Sequence, residues 1–376
     1  LCSAASADIT VKMVVPMLAR QGLGVNWGAT PVFVDESIVA YRWVWAACCA
    51  LLFRGKTMPL VSVVIPAYNC ALYLQETIES MLAQEAVGDM EVIVVNDGST
   101  DHTADIARRF GGVVRVIDQP NAGVSSARNR GIRAARGDFV ALVDHDDYWF
   151  PSKLAGQLAA FAAHPEVDVV FSGFRRWHAD GPDCRFREPL AFAHAALPQG
   201  VDPDYSGWIY HQMLLDSWVL TSTALARAQV FRITGDFDET LPFSEDWDFW
   251  LRVSRAHQFL KLREVSTLYR QHASQGSRVT REVDYRTRLL EKAHAQWGLS
   301  SRDGRCLAPG QFRRQLAVYS ASFGLGHLSG EKGASRALAA RAFFKALAID
   351  PSYWRSLAYL ALTPLGWKPS VCVQSS

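Results

Sequence analysis

The sequence predicts an α/β fold, a mostly parallel sheet covered by helices on both faces, with a helical appendage after it. Three observations carry this. Runs of five or six β-branched and apolar residues alternate with amphipathic stretches of about ten between residues 61 and 171. Polar residues collect just after those runs, and from residue 283 onward the pattern turns helical. Strands that alternate with helices pair in parallel, because each crossover helix carries the chain back to the same edge of the sheet.

Val61 to Ile65, closed by Pro66, reads as a buried strand. Ala71 to Ala83 places Leu72, Ile78, Met81 and Leu82 on a helical face. Glu91 to Val95 is a strand, Thr103 to Phe110 a helix, and Val113 to Ile117 a strand. Ser125 to Ala135 is helical, Asp138 to Val143 extended, Leu154 to Ala163 helical and Val167 to Phe171 extended. In such sheets ligands bind outside the carboxyl ends of strands, which points to the loops after residues 65, 95 and 143. Further on, Asp284 to Trp297 and Arg336 to Ile349 carry apolar residues at helical spacing. Residues 342–351, AFFKALAIDP, look like one helix of a tetratricopeptide unit, and one unit cannot make a solenoid.

Composition excludes several classes. The 376 residues are 49% hydrophobic and 20% charged, as in ordinary globular chains. Lys plus Arg number 39 against 37 Asp plus Glu, a net charge of +2 that makes no electrostatic case for nucleic acid. Seven cysteines without a C-x-x-C pair fit reduced thiols in a cytoplasmic protein, not a disulfide framework or a zinc site.

Residues 1–57 lack this regularity. Their apolar run, Ile38 to Phe53, is 16 residues long and contains Arg42, short of the roughly 20 that span a bilayer. The expectation is a non-native or disordered extension before Met58, with a membrane-associating leader as the alternative. Ala50 to Thr57 fits a relaxed phosphate-loop pattern, yet Leu51, Leu52 and Phe53 occupy the glycine-rich turn and a strand follows. Gly22-x-Gly24 and Gly324-x-Gly326 are equally weak.

The chemistry concentrates in two acidic clusters. Asp144, Asp146 and Asp147 lie within four residues at a strand end, where unpaired burial would be costly. Either a hard divalent cation gathers them, Mg²⁺ or Mn²⁺, or they form a solvated turn and helix cap before Pro151. A hundred residues on, Glu245 and Asp246 precede the aromatic stretch Trp247 to Trp250, near a helix N-terminus. A carboxylate shielded there can serve as general base toward a hydroxyl. Asp248 reads as structural, an i,i+4 partner of Arg252.

Taken in order, these segments resemble glycosyltransferase family 2, the inverting enzymes of GT-A fold, from about Val61 to His272. VSVVIPAYN (61–69), VIVVNDGSTD (92–101) and NAGVSSARNRGIRAARGDFVALVDHDD (121–147) are similar to its nucleotide-binding half. GDFDE (235–239) and SEDWDFWLR (244–252) are similar to its acceptor half, and YRQHASQGS (269–277) to its closing segment. The resemblance implies a GT-A domain over 58–282, divided into a nucleotide-binding half (58–150) and an acceptor half (151–282), then a helical region over 283–376.

Roles follow from the resemblance residue by residue. Pro66, Tyr68 and Asp97 match nucleoside contacts, with Asp97 bonding the base. Arg128 and Asn129 lie in the helix beside the donor, Arg128 being either a phosphate contact or part of a solvated helix face. Asp144, Asp146 and Asp147 match the metal-binding region, with Asp146 also counted among the donor contacts. His272 either approaches the metal or is simply exposed. Asp246 matches the catalytic base, and Glu245 positions the acceptor. The implied activity is transfer of one sugar from a UDP-, GDP- or dTDP-sugar to a glycan or lipid-linked acceptor, with Mn²⁺ or Mg²⁺, in cell-surface polysaccharide or lipopolysaccharide assembly. Without a Q-x-x-R-W sequence the transfer is expected to be non-processive. Placement is expected in the cytoplasm, with the inner membrane face as a contact through Trp354, Leu357, Leu360, Leu362, Leu365 and Trp367, beside Arg336, Arg341 and Lys345. Two alternatives stand beside it. One is a non-catalytic nucleotide-sugar-binding or scaffold protein of the same fold. The other is a sugar nucleotidyltransferase, disfavoured because PAYN replaces the glycine-rich loop that it needs.

Overall fold

Strand β1 (Val61–Ala67) is buried along its whole length, and its alternation explains the layers. Val61, Val63 and Ile65 point to one face and meet Leu74, Ile78 and Met81 of α1 (Leu74–Leu82). Val64 points to the other and packs with Val140 and Leu142 into a second core. The computed structural model describes residues 60–85, 88–180, 185–186, 200–272, 275–276, 279–328 and 333–364. The apolar run and the relaxed phosphate-loop pattern, like Leu365 and Trp367, lie outside these residues.

The chain winds on through β2 (Met90–Asp97), α2 (Thr103–Arg109), β3 (Val114–Gln119), α3 (Val124–Ala134) and β4 (Phe139–Leu142). Next come β5 (Tyr148–Trp149), α4 (Lys153–Ala163), β6 (Val169–Asp180), β7 (Arg185–Phe186), β8 (Val201–Gly207) and α5 (Tyr210–Met213). Then follow β9 (Ala224–Arg227), α6 (Ala228–Thr234), α7 (Glu245–Ala256) and β10 (Phe259–Gln271). The sheet order is β3-β2-β1-β4-β9-β6-β10-β5, with β7 on β6 and β8 on β10. β1 pairs in parallel with both β2 and β4. β9 runs antiparallel to β4 and β6, so the sheet is mixed. The chain leaves β1 toward β2 and later returns to its other side as β4. That reversal makes a topological switch point, and the crevice outside the carboxyl ends of β1 and β4 is where such sheets bind ligands.

Most boundaries shift by one to three residues from the sequence reading, and two of the differences have a clear physical cause. β1 runs through Pro66 to Ala67 instead of ending there. Pairing with β4 stops at Val64 opposite Leu142, and alternation turns Pro66 toward that same vacated side, so its missing N–H breaks no ladder bond. β6 extends to Asp180 because β10 pairs alongside it as far as Gln271 opposite His178, and β7 pairs with its last two residues.

The appended helices are α8 (Tyr285–Trp297), α9 (Pro309–Gly326), α10 (Arg336–Ile349) and α11 (Arg355–Leu362). Asp284 caps α8, its carboxylate accepting from the Thr287 N–H at 3.1 Å. Leu290 of α8 and Phe312 and Leu316 of α9 belong to the same core as Phe249 and Trp250 of α7. Gly324, singled out for a weak glycine pattern, lets α9 approach Phe343 of α10, since a Cβ there would lie 2.7 Å from the ring. Phe344, Trp354 and Leu357 are exposed. No described helix is long and apolar enough to cross a membrane.

Helix α3 crosses β1 closely at Gly131, where a Cβ would fall 2.2 Å from Val64 Cγ1. Both are buried, and a β-branched side chain cannot step aside. Gly131→Ala should therefore destabilise the fold by about 1–3 kcal/mol despite alanine's better helix propensity, as urea unfolding would read.

Candidate active site

The first two loops at the switch point are laced together. Asn69, in the left-handed region at φ 47°, donates its N–H to Ser99 Oγ and accepts from Thr100 N–H. Beside it Tyr68 is about half exposed. Asp97 ends β2, buried, and its carboxylate accepts from Gln119 Nε2, Ala122 N and Gly123 N at 2.8–2.9 Å. These bonds draw the turn before α3 against β2. They leave one of the four carboxylate acceptor positions for a ligand. Gly98, at φ 72°, has to be glycine, because a Cβ would meet Asn121 N at 2.7 Å.

Arg128 and Asn129 follow on α3, and neither lies on a solvated face. Arg128 is 3% exposed. Its guanidinium donates to Asp144 Oδ1 at 2.7 Å and to Glu245 Oε1 at 2.8 Å, joining segments that lie far apart in the chain. Burial opposes the charge, but the carboxylates of Asp144, Glu245 and Asp246 outweigh it, so its pKa is raised and the group stays ionised. Asn129 was expected beside the donor; the structure turns its amide elsewhere. Its Nδ2 donates to Phe237 O and Glu239 Oε1, and its Oδ1 accepts from Phe237 N. It fastens α3 to the 235–239 loop.

The acidic loop after β4 is held on several sides. Asp144 N–H donates to Ser222 Oγ at 3.0 Å. His145 Nδ1 lies 3.2 Å from Pro66 O. Thr77 Oγ1 donates to the carbonyls of His145 and Asp147. The carboxylates divide the charge between them. Burial works to raise the Asp146 pKa, but the bond from His272 Nε2 at 2.8 Å and the charges of His145 and His272 pull it below the usual range. Asp147 is fully buried; burial, then the charges of Asp146 and Asp144, push its pKa well up.

Of the four residues implied for a cation, two fit one. Asp144 is turned to Arg128, and Asp147 is fully buried with its Oδ1 taken by the Arg270 N–H. Asp146 and His272 face each other across 2.8 Å and offer one oxygen and one nitrogen donor. Among the described residues no group of three His, Cys, Asp or Glu side chains gathers as a ligand set. A hard cation would take its other positions from phosphate oxygens and water, the way Mg²⁺ is usually bound.

Across the cleft, Asp246 is the second residue of α7, behind Ser244 in the left-handed region at φ 61°. Its Oδ1 accepts from the Trp247 N–H at 2.7 Å. Burial, then the neighbouring Glu245 charge, push its pKa from the ordinary 3.8 up to about 7, with Arg128 pulling the other way. Trp247 Nε1 donates to Met213 O, and Trp250 Nε1 to Thr221 Oγ1, so the helix is anchored to the 213–223 segment. That segment also supplies Ser222 to the acidic loop. Sequence reading passed over Ser222 and Thr77, whose hydroxyls carry no signal in a single chain. Asp248 holds Arg252 at 2.8 Å, as its spacing suggested.

A switch-point crevice between parallel strands, faced by an acidic loop and an acidic helix N-terminus, is the arrangement of the GT-A fold. Residues 62–197 match the family model described as Glycosyl transferase family 2. The uncharacterized glycosyltransferase EpsJ of Bacillus subtilis is 32% identical over 245 residues, covering 64% of this chain and 68% of that one. Uncharacterized glycosyltransferases of Rickettsia felis and Rickettsia typhi are 31% and 32% identical over 58% of this chain; it spans 35% and 65% of their lengths. The structure of residues 1–349 of TarS from S. aureus, in complex with UDP-GlcNAc, superposes with a TM-score of 0.54 at 20% identity, covering 81% of this chain and 86% of that one. The chain belongs to glycosyltransferase family 2.

Removing the buried guanidinium would leave two carboxylates without their partner. Arg128→Met should cost about 3–5 kcal/mol in urea unfolding, and adding Glu245→Gln should restore part of the loss. Strict additivity of the two changes would contradict the coupling.

Proposed function

We propose that the chain is an inverting glycosyltransferase that moves one sugar from a nucleotide-diphosphate sugar to an acceptor hydroxyl. The observation that carries this is Asp246, a carboxyl with a pKa near 7 beside the cleft, tied through Glu245 and Arg128 to the loop that faces the donor side. A base of that strength is about half ionised at neutral pH, which suits proton abstraction. The UDP-GlcNAc in the TarS structure supports a nucleotide-sugar donor.

Donor and acceptor would enter from opposite halves. Pro66, Tyr68 and the remaining acceptor position of Asp97 lie on the nucleoside side. Asp246 takes the proton of the acceptor hydroxyl while that oxygen attacks the anomeric carbon, and Glu245, immobilised by Arg128, lines the acceptor approach. As the new bond forms, the bond from the anomeric carbon to the diphosphate breaks, and its electron pair leaves with the nucleoside diphosphate. One displacement inverts the configuration. A Mn²⁺ or Mg²⁺ ion held by Asp146 and His272 would stabilise the negative charge on that leaving group. A glycosidase reading is disfavoured, since it needs two carboxyls flanking one bond.

We place the activity in cell-surface glycan assembly, on a glycan or lipid-linked acceptor in the cytoplasm at the inner membrane face. Exposed Phe344, Trp354 and Leu357, with exposed Arg341 and Arg355, support contact with an anionic lipid surface. Residues 58–282 are proposed as the catalytic region, divided near residue 150, with 283–376 as its helical support.

Asp246→Asn should abolish transfer and leave donor binding nearly intact; surviving transfer would refute the base assignment. The rate of the native enzyme should fall as pH drops through about 7, because only the ionised carboxylate accepts a proton. Stability has the opposite sign. The folded state holds a proton on Asp246 that the unfolded chain has released, so this group's contribution is full below about pH 4 and is lost as pH rises through about 7. The asparagine variant should show a flatter stability profile across that window.

The reading itself is tested by thermal shift of the full chain against UDP, GDP, dTDP and CMP, with Mn²⁺ or EDTA. A ligand at about 100 times its dissociation constant stabilises by about 2.7 kcal/mol. Stabilisation by one nucleoside diphosphate, lost with EDTA, is expected. No response from a folded sample would favour the scaffold alternative.

A further inference from the structure

We propose that Arg270 is a positioning residue for the Asp146–His272 pair, an inference that rests on the glycosyl-transfer reading above. Arg270 lies on β10, two residues before His272, and is 2% exposed. A buried guanidinium needs its donors satisfied, and here they go to the acidic loop. Its Nε donates to the main-chain carbonyl of Asp146 at 2.7 Å, and its own N–H donates to Asp147 Oδ1 at 3.3 Å. A terminal nitrogen donates to Glu76 of α1. The plane is flanked by two rings, Trp177 at 4.0 Å and Tyr73 at 4.8 Å from the guanidinium carbon. Tyr73 in turn lies 4.6 Å from the His272 ring.

One side chain therefore reaches both members of the pair. Charge-assisted donation to the Asp146 carbonyl fixes that peptide plane, and with it the direction in which the carboxylate leaves the backbone. Through Tyr73 the same guanidinium bears on the His272 ring. The short β5–β10 pairing, Thr267 with Trp149 and Leu268 with Tyr148, sets the two segments side by side at this point. Only arginine fits the place, because a planar fork must bond in two directions while its faces lie against rings. A lysine ammonium is a point charge that can do one of these. Glu76, on a helix that the acidic loop does not belong to, supplies the counter-charge that holds the fork in register.

The test uses the full chain and three variants: Arg270→Lys, Glu76→Gln and, as a control outside the brace, Arg133→Ala. Mn²⁺ alone is titrated by electron paramagnetic resonance, and UDP, GDP and dTDP are titrated with Mn²⁺ and with EDTA. Arg270→Lys is expected to stay folded by circular dichroism and to weaken Mn²⁺ and Mn²⁺-dependent nucleotide binding by about 10–100-fold. Glu76→Gln should show a smaller loss, and nucleotide binding in EDTA should be unchanged in both. Wild-type Mn²⁺ affinity in Arg270→Lys overturns the proposal, as does an equal loss with Mn²⁺ and with EDTA, which would mark a purely structural residue. If Arg270→Lys fails to fold, Glu76→Gln decides, since it leaves the arginine and its ring contacts in place; unchanged Mn²⁺ binding there refutes the brace. Absence of Mn²⁺-dependent nucleotide binding in the wild type would instead overturn the transfer reading on which the proposal stands.

Discussion

Arg128 is buried where α3, the acidic loop and α7 meet, and its charge holds the three together. Three carboxyl groups, Asp144, Glu245 and Asp246, crowd this place, and without a cation among them the folded state would have to take up protons. With the guanidinium present, Asp144 and Glu245 serve as its anionic partners while Asp246 is left poised. Burial and the Glu245 charge raise its pKa, and Arg128 limits how far. The same residue that joins these segments therefore also limits how firmly Asp246 holds a proton.

A similar division of labour occurs in the acidic loop. Asp146 and Asp147 are buried neighbours whose pKa values are pushed in opposite directions, Asp146 down and Asp147 up. The histidine that reaches only Asp146, and the carboxylate charges around Asp147, make the difference.

Much of this was legible in the chain. β-branched runs and helical faces located the doubly wound half, because both periods are strong where strands are fully buried. In the appendage the helix Arg336–Ile349 came out to the residue, whereas Pro309–Gly326 and Arg355–Leu362 were not read as helices. What escaped was whatever depends on a partner distant in sequence. Pro66 looked like a strand terminus, since nothing local tells that β4 has already ended beside it. Arg128 looked compatible with a solvated face, and Asn129 with a donor contact, because Glu245 and Phe237, which they meet, lie more than a hundred residues away. Arg270 has ordinary strand neighbours, and only the pairing of β5 with β10 brings it under the acidic loop.

The shared core of α7 with α8 and α9 has a consequence for how such chains diversify. Trp247, next to Asp246, packs its indole at 5.4 Å on the Tyr319 ring of α9. A change in the appended helices is thus transmitted to the helix that presents Asp246, and any shift of α7 has to be accommodated in the appendage. Recombination between relatives that exchanged the last hundred residues alone would part the Trp247 indole from the Tyr319 ring fitted to it, so productive crossovers should fall before the 235–239 loop or beyond α10, where the contact of Gly324 with Phe343 also stays intact.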